Sequence, residues 1–122
     1  MDKKEVINKI LKKYSNEEIN TKNKGNFKFA NCDLKKKAYW FTIDLDKRIE
    51  EDYYLSFFDK NNEEIILINV PKSTFTKERF SLRNNDFKLD IYLSSEEEFL
   101  VDIKAGGTKF NFEPFIIDKI KY

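Results

Sequence analysis

Asp90, Asp102 and Lys104 are the side chains whose types and spacing come nearest to a catalytic set. Two carboxylates on neighbouring strands hold a hard cation such as Mg²⁺, and a lysine beside them helps activate water or neutralises developing charge. Asp102 and Lys104 are two apart, so on a strand they share a face. Asp90 lies between Leu89 and Ile91 and falls on the polar side of its own strand. The chain contains no histidine, which removes Ser-His-Asp and Cys-His catalysis and histidine-ligated zinc. Hydrolysis here has to run on carboxylates, Lys, Tyr or a bound cation.

An Asp followed by an acid-x-Lys pair is the order used by Mg²⁺-dependent nucleases of the PD-(D/E)xK type. This chain departs from that pattern: no Pro precedes Asp90, and no clear helical pattern follows Lys104. The motif is short and frequent. A solvated hairpin face carries Asp and Lys just as readily, as weak surface pairs.

A second set of residues would bind rather than react. Lys35, Lys36 and Lys37 run into Tyr39 and Trp40. Lys72, Ser73, Lys77, Arg79, Arg83, Asn84 and Asn85 fill a long polar connection, and Lys104, Thr108, Lys109 and Asn111 surround Gly106-Gly107. Acidic residues gather elsewhere, at 44–52, 63–64 and 96–98. Loop cations take phosphates, while Asn, Ser, Thr and Arg read base edges. Trp40 can stack on an exposed base if it faces outward, and its position opposite Tyr39 and Phe41 leaves that open. Gly106-Gly107 lacks both GxxxxGK[ST] and GxGxxG, so a tight turn is its expected role. Lysine-rich loops also serve solubility alone, and the Phe residues are expected in the core.

These groups need elements to position them. The 122 residues are expected to form a single domain, with 1–20 as an N-terminal helical segment and 26–122 as a β-rich body. Aromatic residues are 16%, led by twelve Phe and six Tyr, which argues against disorder despite 37% charged residues. The single Cys32 excludes an internal disulfide and fits a reducing, cytoplasmic setting. No run is long and apolar enough for a membrane span, so no membrane partner is expected. Val6, Ile7, Ile10, Leu11 and Tyr14 recur at helical spacing. Ser15 with Glu18 fits a capping box for a further turn, and Asn20 to Gly25 reads as a linker.

Alternation then takes over. Phe27 and Phe29 suggest a short strand. Ala38 to Val70 holds three strand-length runs, read as an antiparallel meander that supplies the core, with the second and third covered on both faces. Residues 87–93 and 99–104 read as a second hairpin, with Phe99, Val101 and Ile103 on its apolar side. The tail after Pro114 is read as a helix or extended segment closing one end of the sheet. The fold expected is α+β: an amphipathic helix on a curved, mostly antiparallel, barrel-like sheet of about five to seven strands.

Lys36 to Asp44, the Tyr53–Phe58 and Ile65–Pro71 runs, and Asp102 to Phe112 together resemble small β-rich domains associated with bacterial restriction endonucleases. The likeness covers about two thirds of the chain in texture and rests on no single diagnostic motif. It implies a non-catalytic DNA-recognition module that works through loops, in restriction or phage defence. A net charge of +1 and the lack of an arginine-rich stripe run against it. The alternatives are a non-catalytic protein-interaction domain, with a protein partner or homodimer, and the nuclease built on Asp90, Asp102 and Lys104. No cofactor is expected outside the nuclease reading, which needs Mg²⁺.

Overall fold

Asp2 starts the helix by accepting the Glu5 amide at 2.8 Å, the side-chain cap that a helix N-terminus lacks within itself. Helix α1 spans Lys3–Leu11. The turn after it keeps Tyr14 in line through a bond from its amide to the Ile10 carbonyl at 2.9 Å. Ser15 Oγ then accepts the Glu18 amide at 3.3 Å, and Ile19 is buried. The structure, a computed structural model, describes residues 2–15, 18–19, 26–45, 51–83 and 87–122. The expected linker at 20–25 lies outside the described residues, as do Asn84 and Asn85.

The described residues form eight strands: β1 (Phe27–Ala30), β2 (Cys32–Asp33), β3 (Ala38–Asp44), β4 (Tyr53–Asp59), β5 (Glu64–Val70), β6 (Ser81–Arg83), β7 (Lys88–Ser94) and β8 (Ile116–Lys121). They make two four-stranded sheets, β1–β4–β5–β8 and β2–β3–β7–β6. Only β1 with β4 is parallel. Between the sheets, Tyr53, Leu55, Phe57, Ile66 and Ile68 face Tyr39, Phe41, Ile43, Leu89 and Ile91 in one core. The other face of β4 and β5, with Tyr54, Phe58, Ile65 and Leu67, meets Val6, Ile10 and Ile19. Burying one such aliphatic side chain is worth about 1.5–3 kcal/mol. Val6 and Ile10 therefore hold a nine-residue helix that would not persist alone. Tyr14 adds a polar pin, donating to Asp118 of β8 at 2.6 Å, with Lys13 Nζ 2.8 Å from the same oxygen. That bond, then burial, pushes the Tyr14 hydroxyl up to about 12.

The class is α+β with a β-rich core, but the sheets stay open instead of closing into a barrel. The meander is corrected. β4 and β5 form the expected hairpin, whereas β3 belongs to the other sheet and lies across the core from them. Period-two alternation states which face of a strand is apolar; it does not say whether that strand meets its neighbour edge to edge or face to face.

The second hairpin is corrected too. β7 pairs with β3 and β6, and residues 99–104 form no regular strand, meeting β7 at the isolated bridge Leu93↔Asp102 and a few backbone bonds beside it. Positive φ at Glu98 (54°) and Leu100 (63°) breaks the strand and inverts its sidedness. Leu100 and Asp102 are buried, while Ile103 is exposed. The tail is an edge strand entered through a 3₁₀ turn at Glu113–Phe115. No helix among the described residues is long and apolar enough to cross a membrane.

Ser56 lies under the helix between Phe29 and Leu67, fully buried, and its Oγ has no hydrogen-bond partner among the described residues. Ser56→Ala is expected to stabilise the protein by about 1 kcal/mol, because an unsatisfied buried hydroxyl costs more than its methyl replacement. The check is a urea midpoint that rises at unchanged slope; a lower midpoint would refute it.

Candidate functional site

The inward face of β3 and β7 is committed to the core, so the residues between must face out. The register sets Trp40 opposite Tyr92, Thr42 opposite Asp90, and Ser81 of β6 opposite Asp90 on its other side. Trp40 is 43% exposed. It meets Tyr92 edge to face, with centroids 5.7 Å apart at 81°.

Asp90 orders this face. Its Oδ1 accepts Trp40 Nε1 at 3.1 Å, Thr42 Oγ1 at 3.2 Å and Arg83 Nη2 at 2.7 Å, and its Oδ2 accepts Arg83 Nε at 3.2 Å. The Arg83 contact is bidentate, the strongest form of this pair. Burial opposes the Asp90 charge, but the donors from Arg83, Trp40 and Thr42 outweigh it and hold the carboxyl below its ordinary range.

Three cations surround the aromatic pair. Lys36 Nζ is 5.6 Å from the Trp40 ring centre and 5.5 Å from that of Tyr92. Lys104 Nζ is 5.3 Å from Tyr92, and the Arg83 guanidinium is 6.0 Å from Trp40. Lys36 reaches this position because Asp33 builds the turn into β3, accepting the Lys35 and Lys36 amides at 2.9 and 3.1 Å. Asp33 also pairs with Lys36 Nζ at 3.4 Å. Those backbone donors, Lys36 foremost, keep the Asp33 carboxyl below its usual range despite some burial.

Lys104 is positioned by Asp102. Its Oδ1 accepts the Tyr92 amide at 2.9 Å and the Lys104 amide at 3.1 Å, while the Ile103 amide donates to the Tyr92 carbonyl at 2.8 Å. Asp102 is fully buried and its Oδ2 has no partner among the described residues. A Cβ on Gly107 would come within 2.6 Å of that oxygen, so the glycine is what lets the turn close over the carboxylate.

Each of the residues proposed for hydrolysis is engaged by other partners. Asp90 lies on the outer face, engaged by Arg83, Trp40 and Thr42; Asp102 points into the backbone of the adjacent turn; Lys104 sits over Tyr92. Among the described residues no group of three His, Cys, Asp or Glu side chains is arranged to hold a metal ion.

Of the residues proposed for binding, Lys36, Trp40, Arg83 and Lys104 converge, with Lys35 and Lys37 exposed on the same turn as Lys36. Lys72, Ser73 and Lys77 are exposed in the connection after β5. Arg79 is structural: it donates to the Thr74 carbonyl at 3.2 Å and lies 5.8 Å from the Phe110 ring. Thr108 Oγ1 donates to the Arg79 carbonyl at 2.9 Å, and Asn111 accepts the Glu113 amide at 3.0 Å. Lys109 is exposed, in a left-handed conformation at φ 59°. Tyr92 was absent from the sequence-based set. Its alternation with Leu93 and Ile91 already set it on the polar face, but its partner Trp40 is 52 residues away and only the β3–β7 register joins them.

No protein-family model, curated protein or solved structure matches this chain.

Burial raises the Asp102 pKa above its ordinary 3.8, against the Tyr92 and Lys104 amides and the Lys104 charge. A carboxyl with a raised folded pKa supports the fold when protonated, and that support is lost as pH rises through the folded value. Asp102→Asn keeps an acceptor for both amides and removes the buried charge. It is therefore expected to raise Tm relative to the parent at pH 7, with the gain shrinking toward pH 4. An equal difference at both pH values would refute the assignment. Gly107→Ala is expected to cost about 1–3 kcal/mol through overpacking against the same carboxylate.

Proposed function

We propose that this protein is a non-catalytic nucleic-acid-binding module that uses the outer face of the β2–β3–β7–β6 sheet. The observation that carries this reading is the exposed Trp40–Tyr92 pair ringed by Lys36, Arg83 and Lys104. Cations beside exposed aromatics supply the two contacts such binding needs, phosphate pairing and base stacking. DNA is the partner implied by the sequence resemblance, and a role in restriction or phage defence rests on that resemblance alone. The contact surface in this reading is a sheet face with its flanking turns at 33–37 and 102–107, rather than loops alone.

The hydrolytic alternative asks more of the residues. Asp90 would have to give up Arg83, Trp40 and Thr42, and the turn at Gly107 would have to open over the buried Oδ2 of Asp102, before both could hold one Mg²⁺. A protein-binding reading draws on exposed Leu34 (75%) and Phe87 (58%), which lie at the β2–β3 turn and beside Leu45.

Retention on DNA at low salt is expected, with weak salt dependence. Two lysines on single strands, with Arg83 held by Asp90, correspond to a log–log slope of about −1.4, and losing one lysine lowers its magnitude by about 0.7. Lys36→Gln and Lys104→Gln are the variants to compare, by titrations at several salt concentrations. No retention on duplex or single strand would remove the proposal.

A further inference from the structure

We propose that this face takes unpaired bases, and that the two lysines leave the aromatic rings for phosphate when a base arrives. The inference rests on the nucleic-acid reading and specifies what form of nucleic acid fits.

In the free protein the ring faces are covered by the protein's own cations. Lys36 lies over both rings, Lys104 over Tyr92 and Arg83 over Trp40. Such a contact at an exposed site is worth about 0.5–1 kcal/mol. Stacking a base on the same ring is worth about 1–3 kcal/mol. The exchange therefore favours the base, and a displaced ammonium stays close to the strand it must neutralise.

The three cations are not equally free to move. Arg83 is held bidentate on Asp90 and also lies within 3.5 Å of Thr42 Oγ1. Lys36 and Lys104 are point charges on long flexible stems, held by ring contacts and, for Lys36, by one exposed pair with Asp33. Asp90 meanwhile fixes the indole through its N–H. The platform is rigid and its covers are movable.

Charge sets the direction of the strand. Asp90 repels phosphate on the Thr42–Arg83 side, whereas Lys36 and Lys104 both lie over Tyr92. The backbone then tracks past Tyr92 between the lysines, with a base reaching Trp40. A duplex hides its base faces, and exposing one costs a few kcal/mol. The face accordingly selects single strands.

Trp40 is the chain's single tryptophan, so its fluorescence reports from the site itself. The test compares four end-labelled ligands at low salt: a thymidine dodecamer, the same strand without bases, a ribouridine dodecamer and a duplex of equal length. Labelled-strand anisotropy reads affinity and Trp40 emission reads stacking. The base-bearing single strands are expected to quench Trp40 and to bind at least about tenfold tighter than duplex or abasic strand. Tyr92→Ala is expected to weaken single-strand binding about 5- to 150-fold. Trp40→Phe, which keeps a stacking ring, is expected to retain most of the affinity, so loss of the fold and loss of stacking are told apart. Abasic strand and duplex binding as tightly as the base-bearing single strands, with unchanged Trp40 emission, would overturn the stacking inference and leave the nucleic-acid reading standing. Absence of binding to all four would overturn both.

Discussion

Phe57 stacks on Tyr39 across the core, with ring centroids 4.2 Å apart, and also touches Phe41 and Phe99. These contacts fix which face of β3 looks inward, and the pleat does the rest. Each aromatic taken into the core at 39 and 41 puts its neighbour at 40 or 42 outside. The exposed indole of Trp40 is therefore a consequence of core packing. β7 obeys the same rule from the other side of the register, with Leu89, Ile91 and Leu93 inside and Asp90 and Tyr92 outside. Sheet packing and surface chemistry are set by one alternation.

Two aspartates, Asp102 the more deeply buried, then do opposite things. Asp90 gathers a guanidinium, an indole and a hydroxyl, stays charged, and orients those side chains at the surface. Asp102 gathers two backbone amides, has no partner for its second oxygen among the described residues, and is pushed toward its neutral form. The difference is depth of burial together with the availability of a counter-charge. Arg83 reaches Asp90 at 2.7 Å, whereas the Lys104 ammonium turns away to Tyr92. Asp102 acts as a clasp that brings residue 104 beside the sheet, and Gly107 leaves it room.

Much of this was legible from local pattern. The helix follows from Val6, Ile10 and Tyr14 at helical spacing, and the β4–β5 hairpin from two apolar runs around Asp59-Lys-Asn-Asn-Glu. Their double-sided burial follows from apolar residues on both faces of Tyr53–Phe58 and Ile65–Ile68. What was not legible is long-range or turns on a few dihedrals. The place of β3 in the second sheet is a long-range pairing, and nothing in the charged sequence between β3 and β4 encodes a destination. The misreading of 99–104 comes from two left-handed residues, Glu98 and Leu100, that are not glycine and carry no local warning. The candidate face shows the same limit. Its cations were visible one by one, but their convergence on Trp40 requires the β3–β7 and β6–β7 registers, and Arg79 and Thr108 look alike in sequence to residues that do converge.

Electrostatics narrows how such a face can work. The chain carries a net charge of only +1, so its long-range field offers little steering to a polyanion. Locally, Lys36, Arg83 and Lys104 are opposed by Asp33 and Asp90, and the bidentate pair ties up Arg83. Binding by charge alone would be weak and quickly screened within a Debye length of about 8 Å at physiological salt. The rings do not share that weakness, because stacking depends on contact area rather than ionic strength. On the proposed reading, a face built this way would discriminate on contact, by whether a planar group is free to lie on an aromatic, and would use Lys36 and Lys104 to hold what has already stacked.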